Sequence, residues 1–373
     1  MKATERRLVA SSKQRNRILT VFSIVLLLAL MILADQNIIF SEYVQRLIKL
    51  SSAYGIAALS MTLIQGYTGL FSLGQAGFMA VGAYTVALCT IPVDVKANLF
   101  YVEPAYPWVA SLSFSFPVAL LIGAALAAVL AFFIGFPVLR LKSDYLGIAS
   151  LGFSEIIRII IVNWMPLTNS SLGLKSIPST ANVTWCVGLL AIVVFLLLRM
   201  MKTTYGRSFK AIRDDEVAAQ AMGINLFTHK LKSFIISGFM AGLSGGLIAS
   251  IIGIVTPTYF KYTLIYDLLL IVIIGGMGSV TGAVLASFVI TFGKEYLRFL
   301  DEGFSIGGFV FPSIAGTRML IFSILLMVAI LFFREGFLGD KEFSWDGMFG
   351  LIKKIMRKAS AHIRHGEKKG GAC

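Results

Sequence analysis

The sequence predicts an all-α, polytopic membrane helix bundle of about ten transmembrane helices, with two glycine-broken hairpins among them. Composition is the first observation behind this. Of 373 residues, 57% are hydrophobic and only 14% are charged, where a soluble chain carries roughly a quarter. The second is the recurrence of apolar runs long enough to cross a bilayer. The third is the placement of charge. The net charge of +14 gathers in three clusters. Lys2, Arg6, Arg7, Lys13, Arg15 and Arg17 precede Ile18, and Lys353, Lys354, Arg357, Lys358, Arg364, Lys368 and Lys369 follow Leu351. The third cluster runs from Arg199 to Lys232. Such clusters mark cytoplasmic segments beside lipid headgroups, so the excess calls for a membrane and for no nucleic acid.

Taken in order, residues 1–17 form a basic cytoplasmic tail, 18–336 the transmembrane domain and 337–373 a second basic tail. Ile18 to Ala34 is long for a signal peptide, and Leu33-Ala34-Asp35 is a poor cleavage site, so it reads as a retained first span. Further spans are expected over 50–65, 78–91, 108–136 (with Pro117 inside), 145–164, 183–198, 234–255, 264–274, 283–292 and 319–333. Ten crossings place both tails, the Arg140/Lys142 turn and the central basic loop on the cytoplasmic side. One crossing more or fewer would strand a basic cluster outside.

Two hairpins in this series are interrupted by glycine: Gly66 to Gly77 between spans two and three, and Gly275 to Gly282 between spans eight and nine. Irregular backbone at membrane depth survives only where protein buries it or it lines a cavity. Breaks at matching places in two halves point to a translocation path, with close helix packing through small residues as the plainer reading. Gln65, Ser72 and Gln75 in the first break, and Gly276, Ser279 and Thr281 in the second, are the path candidates. They offer donors and acceptors without fixed charge, which suits a zwitterionic solute.

The segment 199–232 is the only long polar stretch between the tails. Phe209, Ile212, Glu216, Ala219 and Met222 recur at three- and four-residue steps, drawing one helical face. Asp214 is placed to cap a short helix and Gly223 to end it in a left-handed turn. With Ala218 and Ala219 keeping the surface shallow, and Arg213, Asp214, Asp215 and Glu216 charging its edge, the stretch reads either as a docking element or as a solvated loop.

Other chemistry finds little support. Gly276 to Gly282 follows G-x-G-x-x-x-G, one residue longer than the dinucleotide fingerprint, and no G-x-x-x-x-G-K-[ST] loop occurs. The chain is therefore expected to be no enzyme and to hold no cofactor; any ATP and magnesium would bind a separate subunit. Its three histidines and three cysteines form no ligand or catalytic cluster. Glu155 and Arg158 lie mid-span at i and i+3, where they can pair. An internal ion pair that fixes helix packing is the favoured reading, a polar gate on the solute route the alternative.

Four blocks of the sequence together resemble a known family. They are Gln65 to Tyr84, Tyr145 to Arg158, Gly206 to Asn225, and Ile274 to Gly282. In this order they are similar to the bacterial branched-chain amino acid ABC transporter permeases, in particular the larger, M-type subunit. The resemblance implies a permease in the cytoplasmic (inner) membrane, paired with a homologous second permease. Two ATP-binding cassette ATPases and an extracytoplasmic substrate-binding protein would complete the machine. It also implies that 207–223 is the loop that docks into the ATPase. Val217-Ala-Ala-Gln-Ala-Met-Gly223 fits the family's E-A-A-x-x-x-G pattern except that valine stands in place of glutamate, with Glu216 one position early. Docking by shape carries over, and a salt bridge from the motif's glutamate does not. Related permeases for urea, amides or other amino acids share the glycine blocks. A secondary transporter working without an ATPase is the alternative of a different class.

Overall fold

The polar interruptions cut the chain into helices close to those expected. The computed structural model describes residues 41–141, 143–298, 304–306, 309–311 and 316–332, with Gly336 and Gly339. All of these fall within one compact unit, 34–341. The proposed first span, Ile18 to Ala34, the N-terminal basic tail, the second tail apart from Gly339, and Lys142 lie outside the described residues.

Helix α1, Glu42–Met61, runs on into a π-turn, Thr62–Tyr67. Helix α2, Gln75–Thr90, is followed by a short α3, Val93–Leu99, bent from it by 117°. A single-turn helix, α4 (Pro107–Ala110), precedes α5, Phe116–Val138. Then come α6, Ser143–Asn163; α7, Met165–Thr168; α8, Val183–Met201; α9, Thr204–Asp214; and α10, Glu216–Ala221. Helices α11, Leu226–Ile252; α12, Tyr262–Gly275; α13, Val280–Tyr296; and α14, Thr317–Phe332 complete the order. Nine of the ten expected apolar segments thus coincide with helices. Among the described residues, five helices are long and apolar enough to cross a membrane alone: α1 with its π-turn, α5, α6, α8 and α11. Counting the bent pair α2–α3 as one span makes six, while α12 is a shorter apolar helix.

Two expectations need correction. Pro117 does not interrupt a span running from Trp108. It sits in the first turn of α5, where its missing N–H costs no helix bond, and Trp108 belongs to the separate α4. The chain is also not wholly helical. Phe304–Ile306 (β1) and Phe309–Phe311 (β2) pair antiparallel.

Helices α1, α2 and α11 form the centre, with α5 packed on α2 and α11 and with α13 and α8 against α1. In α1 and α11, 78% and 72% of the apolar stretch is buried, against 28% in α6 and α8. The outer helices keep bulky side chains exposed, such as Leu121, Phe133, Ile148 and Phe195, as lipid-facing helices do. Hydrophobic burial supplies no preference between helices in lipid, so close packing must supply it. Small residues make that possible. A Cβ placed on Gly245 of α11 would lie 1.9 Å from the Met79 carbonyl oxygen of α2, and one on Gly82 would lie 2.1 Å from the Gly242 oxygen. The backbones of α2 and α11 therefore touch. Gly245→Leu is expected to abolish the monodisperse protein peak in detergent, since overpacking here must separate two backbones at a cost of about 3 kcal/mol or more. Gly188→Ala, where a Cβ meets nothing within 4 Å, should leave the peak intact.

Candidate functional site

The α9–α10 hairpin forms because its sequence stops one helix and starts another within two residues. Asp215 is extended (φ −161°, ψ 113°), ends α9 and caps α10, its carboxylate accepting from the Val217 and Ala218 N–H groups. Asp214, the expected cap, is instead the last residue of α9. The cap falls on Asp215 because its extended backbone aims its carboxylate at the first free amides of the next helix. Gly223 (φ +82°) ends α10. The Ile224 amide reaches the Ala219 carbonyl and the Gly223 amide reaches that of Gln220, the paired bonds of a Schellman cap.

The break at Asp215 divides the expected face. Phe209 and Ile212 of α9 and Ala219 of α10 are buried in the chain itself, whereas Val217 is 78% and Met222 83% exposed. Ala218 and Glu216 are also exposed. The hairpin is seated on the first turns of α11. Glu216 pairs with Lys230 at 2.6 Å, Phe209 meets the His229 ring edge-on at 6.3 Å, and the Lys232 ammonium lies 4.8 Å from the Tyr205 ring centre. A rigid base therefore carries an exposed apolar pair flanked by alanines.

The two glycine breaks lie at this same end of the bundle and meet each other. A Cβ on Gly66 would stand 1.5 Å from the Met277 carbonyl oxygen, so only glycine permits the contact. Arg213 of α9 reaches across and donates from Nη1 to the Gly66 carbonyl at 3.0 Å, while its Nε holds Asp214 at 3.1 Å. Gly69 (φ +74°) presses on the same arginine, with a built Cβ 3.1 Å from the Arg213 Cα. Lys210 lies over the Tyr67 ring at 5.5 Å. Hairpin, first break and second break form one continuous contact.

The path candidates, buried except for the half-buried Thr281, are tied into this region. Gln65 donates to the Ser72 carbonyl at 3.0 Å. Gln75 donates to the Ser237 hydroxyl at 3.0 Å, and Ser237 in turn donates to the Ser60 carbonyl. The Gln75 Oε1 is buried without a hydrogen-bond partner, as is the Tyr84 hydroxyl further along α2. Such orphaned groups are uncommon in a packed interior. Gly276 (φ +99°) lets α12 end, and Ser279 caps α13 by accepting from the Gly282 amide while contacting Thr281 at 3.2 Å.

Glu155 and Arg158 do pair, with Arg158 Nε 2.8 Å from Glu155 Oε1. Both are half-buried, their side chains 38% and 21% exposed, so the pair lies at the margin of this chain's bundle. Glu155→Gln alone is expected to reduce the yield of folded protein more than Glu155→Gln with Arg158→Met, because the single change strands a cation. Size-exclusion profiles of the two variants check it.

Other polar contacts were not foreseen. Asp267 of α12 pairs with Lys294 of α13, and the Tyr54 and Tyr259 hydroxyls meet at 2.5 Å. Asp267 is an ionisable residue inside an apolar run, and that alone was the available signal. Ser237, the partner of Gln75, carried no signal, since serine is common in packed membrane helices. Among the described residues no group of three or more His, Cys, Asp or Glu is placed to hold a metal ion.

Comparison with known proteins finds relatives among transport permeases. The LivM permease protein of the high-affinity branched-chain amino acid transport system of Escherichia coli K12 is 32% identical over 287 residues. That alignment covers 68% of this chain and 63% of the relative, so the chain spans less than two thirds of that relative's length. A probable branched-chain amino acid transport permease, LivH of Methanocaldococcus jannaschii, is 26% identical over 291 residues, covering 73% of this chain and 85% of the relative. The autoinducer 2 import permease LsrC of Salmonella paratyphi B is 30% identical over 243 residues, covering 61% and 69%. No solved structure matches. The family model described as branched-chain amino acid transport system / permease component matches residues 43–331. Joined to a bundle of membrane-length helices with an exposed polar hairpin, that match shows that this multi-pass membrane chain belongs to the branched-chain amino acid transport permease family.

Proposed function

We propose that the chain is one permease subunit of an ATP-driven importer for the branched-chain amino acids leucine, isoleucine and valine. It crosses the bacterial cytoplasmic membrane ten times, with both termini inside. A homologous second permease, two ATP-binding cassette ATPases and an extracytoplasmic binding protein complete the assembly, and ATP with magnesium binds the ATPases.

The observation that carries this reading is the α9–α10 hairpin. A capped, salt-bridged base presents Val217 and Met222 outward beside Ala218 and Gly223. In a soluble loop those side chains would gain nothing by exposure; an exposed apolar pair on a rigid mount suits a protein partner. Asp214, Asp215 and Glu216 charge the edge of this surface, and Phe209, Ile212 and Ala219 support it from beneath. Gln65, Ser72 and Gln75, with Gly276, Ser279 and Thr281, line the inner end of the solute path. The free Gln75 Oε1 is an acceptor for a passing ammonium group. The Glu155–Arg158 pair fixes helix packing at the margin.

A second solute class is favoured by one observation, the 30% identity to a permease named for autoinducer 2 import. Measuring ATP hydrolysis by the reconstituted complex with its binding protein separates the two. Stimulation by leucine, isoleucine or valine supports the first reading. Stimulation by another solute, with none by these, replaces it. Uptake by the purified chain alone, without ATP, would mark a secondary transporter.

A further inference from the structure

We propose that Arg213 is the strut through which the docking hairpin moves both glycine breaks together. The inference rests on the reading of the hairpin as the ATPase contact and adds the connection inward from it. Arg213 belongs to the basic, polar segment, yet its guanidinium is turned toward the bundle and donates to the Gly66 carbonyl at 3.0 Å. Gly66 lies in the π-turn Thr62–Tyr67. Gly66 is in the last turn before the Thr68 C-cap, where helix carbonyls have no partner within the helix, so an outside donor has something to hold. That hold is charge-assisted, which makes it stronger than an ordinary backbone bond.

The contact is closed on both sides. Gly69 allows the chain to fold against the arginine backbone, where a Cβ would come within 3.1 Å of the Arg213 Cα. Gly66 in turn touches the Met277 carbonyl, where a Cβ would come within 1.5 Å. Packed backbone transmits displacement because there is no soft side chain between the parts to absorb it. A push on α9 therefore reaches the end of α1 through Arg213 and the end of α12 through Gly66 and Met277. The ends of two helix pairs would shift as one element. Lys210 over the Tyr67 ring adds a second, weaker grip on the same turn.

The test uses the full complex of both permeases, the ATPases and the binding protein, reconstituted in liposomes. Arg213→Met keeps the stem and removes the donor. Arg213→Lys keeps a cationic donor on a flexible stem, without the second N–H that holds Asp214. With Arg213→Met the ATPase is expected to remain bound and ATP hydrolysis to persist, while solute moved per ATP falls about tenfold. Arg213→Lys should restore most of that ratio, which a merely structural role for the side chain would not predict. A ratio within about twofold of the unaltered complex in the Met variant overturns the strut. Loss of the bound ATPase together with uptake also overturns it, because Arg213 would then act at the docking surface. If Arg213→Met does not assemble, Gly69→Ala disturbs the same contact from the other side, and an unchanged ratio there overturns the proposal. Absence of any ATPase from the unaltered complex is a separate result, which removes the docking reading and the strut with it.

Discussion

Replacing Val217 and Met222 together by aspartate is expected to abolish both ATPase co-purification and ATP-driven uptake, while leaving the chain folded and in the membrane. The two side chains are the most exposed large apolar groups of the hairpin, at 78% and 83%. They touch nothing that the chain needs for its own packing. What holds the hairpin lies elsewhere: the Asp215 cap, the Gly223 turn, the Glu216–Lys230 pair and the buried Phe209 and Ile212. Two carboxylates in a docked apolar surface must be desolvated without partners. At about 2 kcal/mol each, that weakens the contact roughly a thousandfold. Co-purification from detergent and uptake in whole cells read the two effects. A double variant that still binds the ATPase and transports would remove the hairpin as the docking surface. Bulk added at Ala219 would be a poorer test, because that residue is buried in the chain itself.

Gly66→Ala is expected to be the most damaging single methyl group at any described glycine. Its Cβ would stand 1.5 Å from the Met277 carbonyl oxygen, far inside any tolerable contact, and backbone cannot rotate away as a side chain can. The two breaks must move apart, which loosens the π-turn and the Arg213 contact at once. The expected cost is about 3 kcal/mol or more, seen as a thermal transition lowered by several degrees and as uptake near background. A variant with unchanged thermal stability would show that the two breaks do not touch. The comparison with Gly245→Leu is informative. Gly245 packs α11 on α2 far from the hairpin, so that change should cost folding without a specific loss of coupling.

Much of this architecture is legible in the sequence because lipid imposes a simple rule. Every backbone group must be satisfied within its own segment, so apolar runs become helices, and nine of the runs do so among the described residues. Gly223 is legible as a left-handed terminator, and the spacing of Glu155 and Arg158 as an ion pair. The hairpin is legible as a feature but not in its orientation. Periodicity puts Phe209, Ile212, Ala219 and Met222 on one face only if one helix continues through Asp215. The aspartate caps a new helix instead, turning Met222 outward while Phe209 and Ile212 go in. The Gly66–Met277 and Arg213–Gly66 contacts join positions far apart in the chain, and no local pattern encodes them. Asp267 and Lys294 pair across α12 and α13 for the same reason. The β1–β2 hairpin is short and flanked by glycine, which masks its alternation.

The most direct measurement is to purify the tagged full chain from its native membrane in mild detergent and to identify the co-purifying chains by mass. The expected result is an ATPase bearing a phosphate-binding loop, together with a second permease homologous to this one. A chain that purifies alone, and that still carries amino acids into liposomes without ATP, would contradict it.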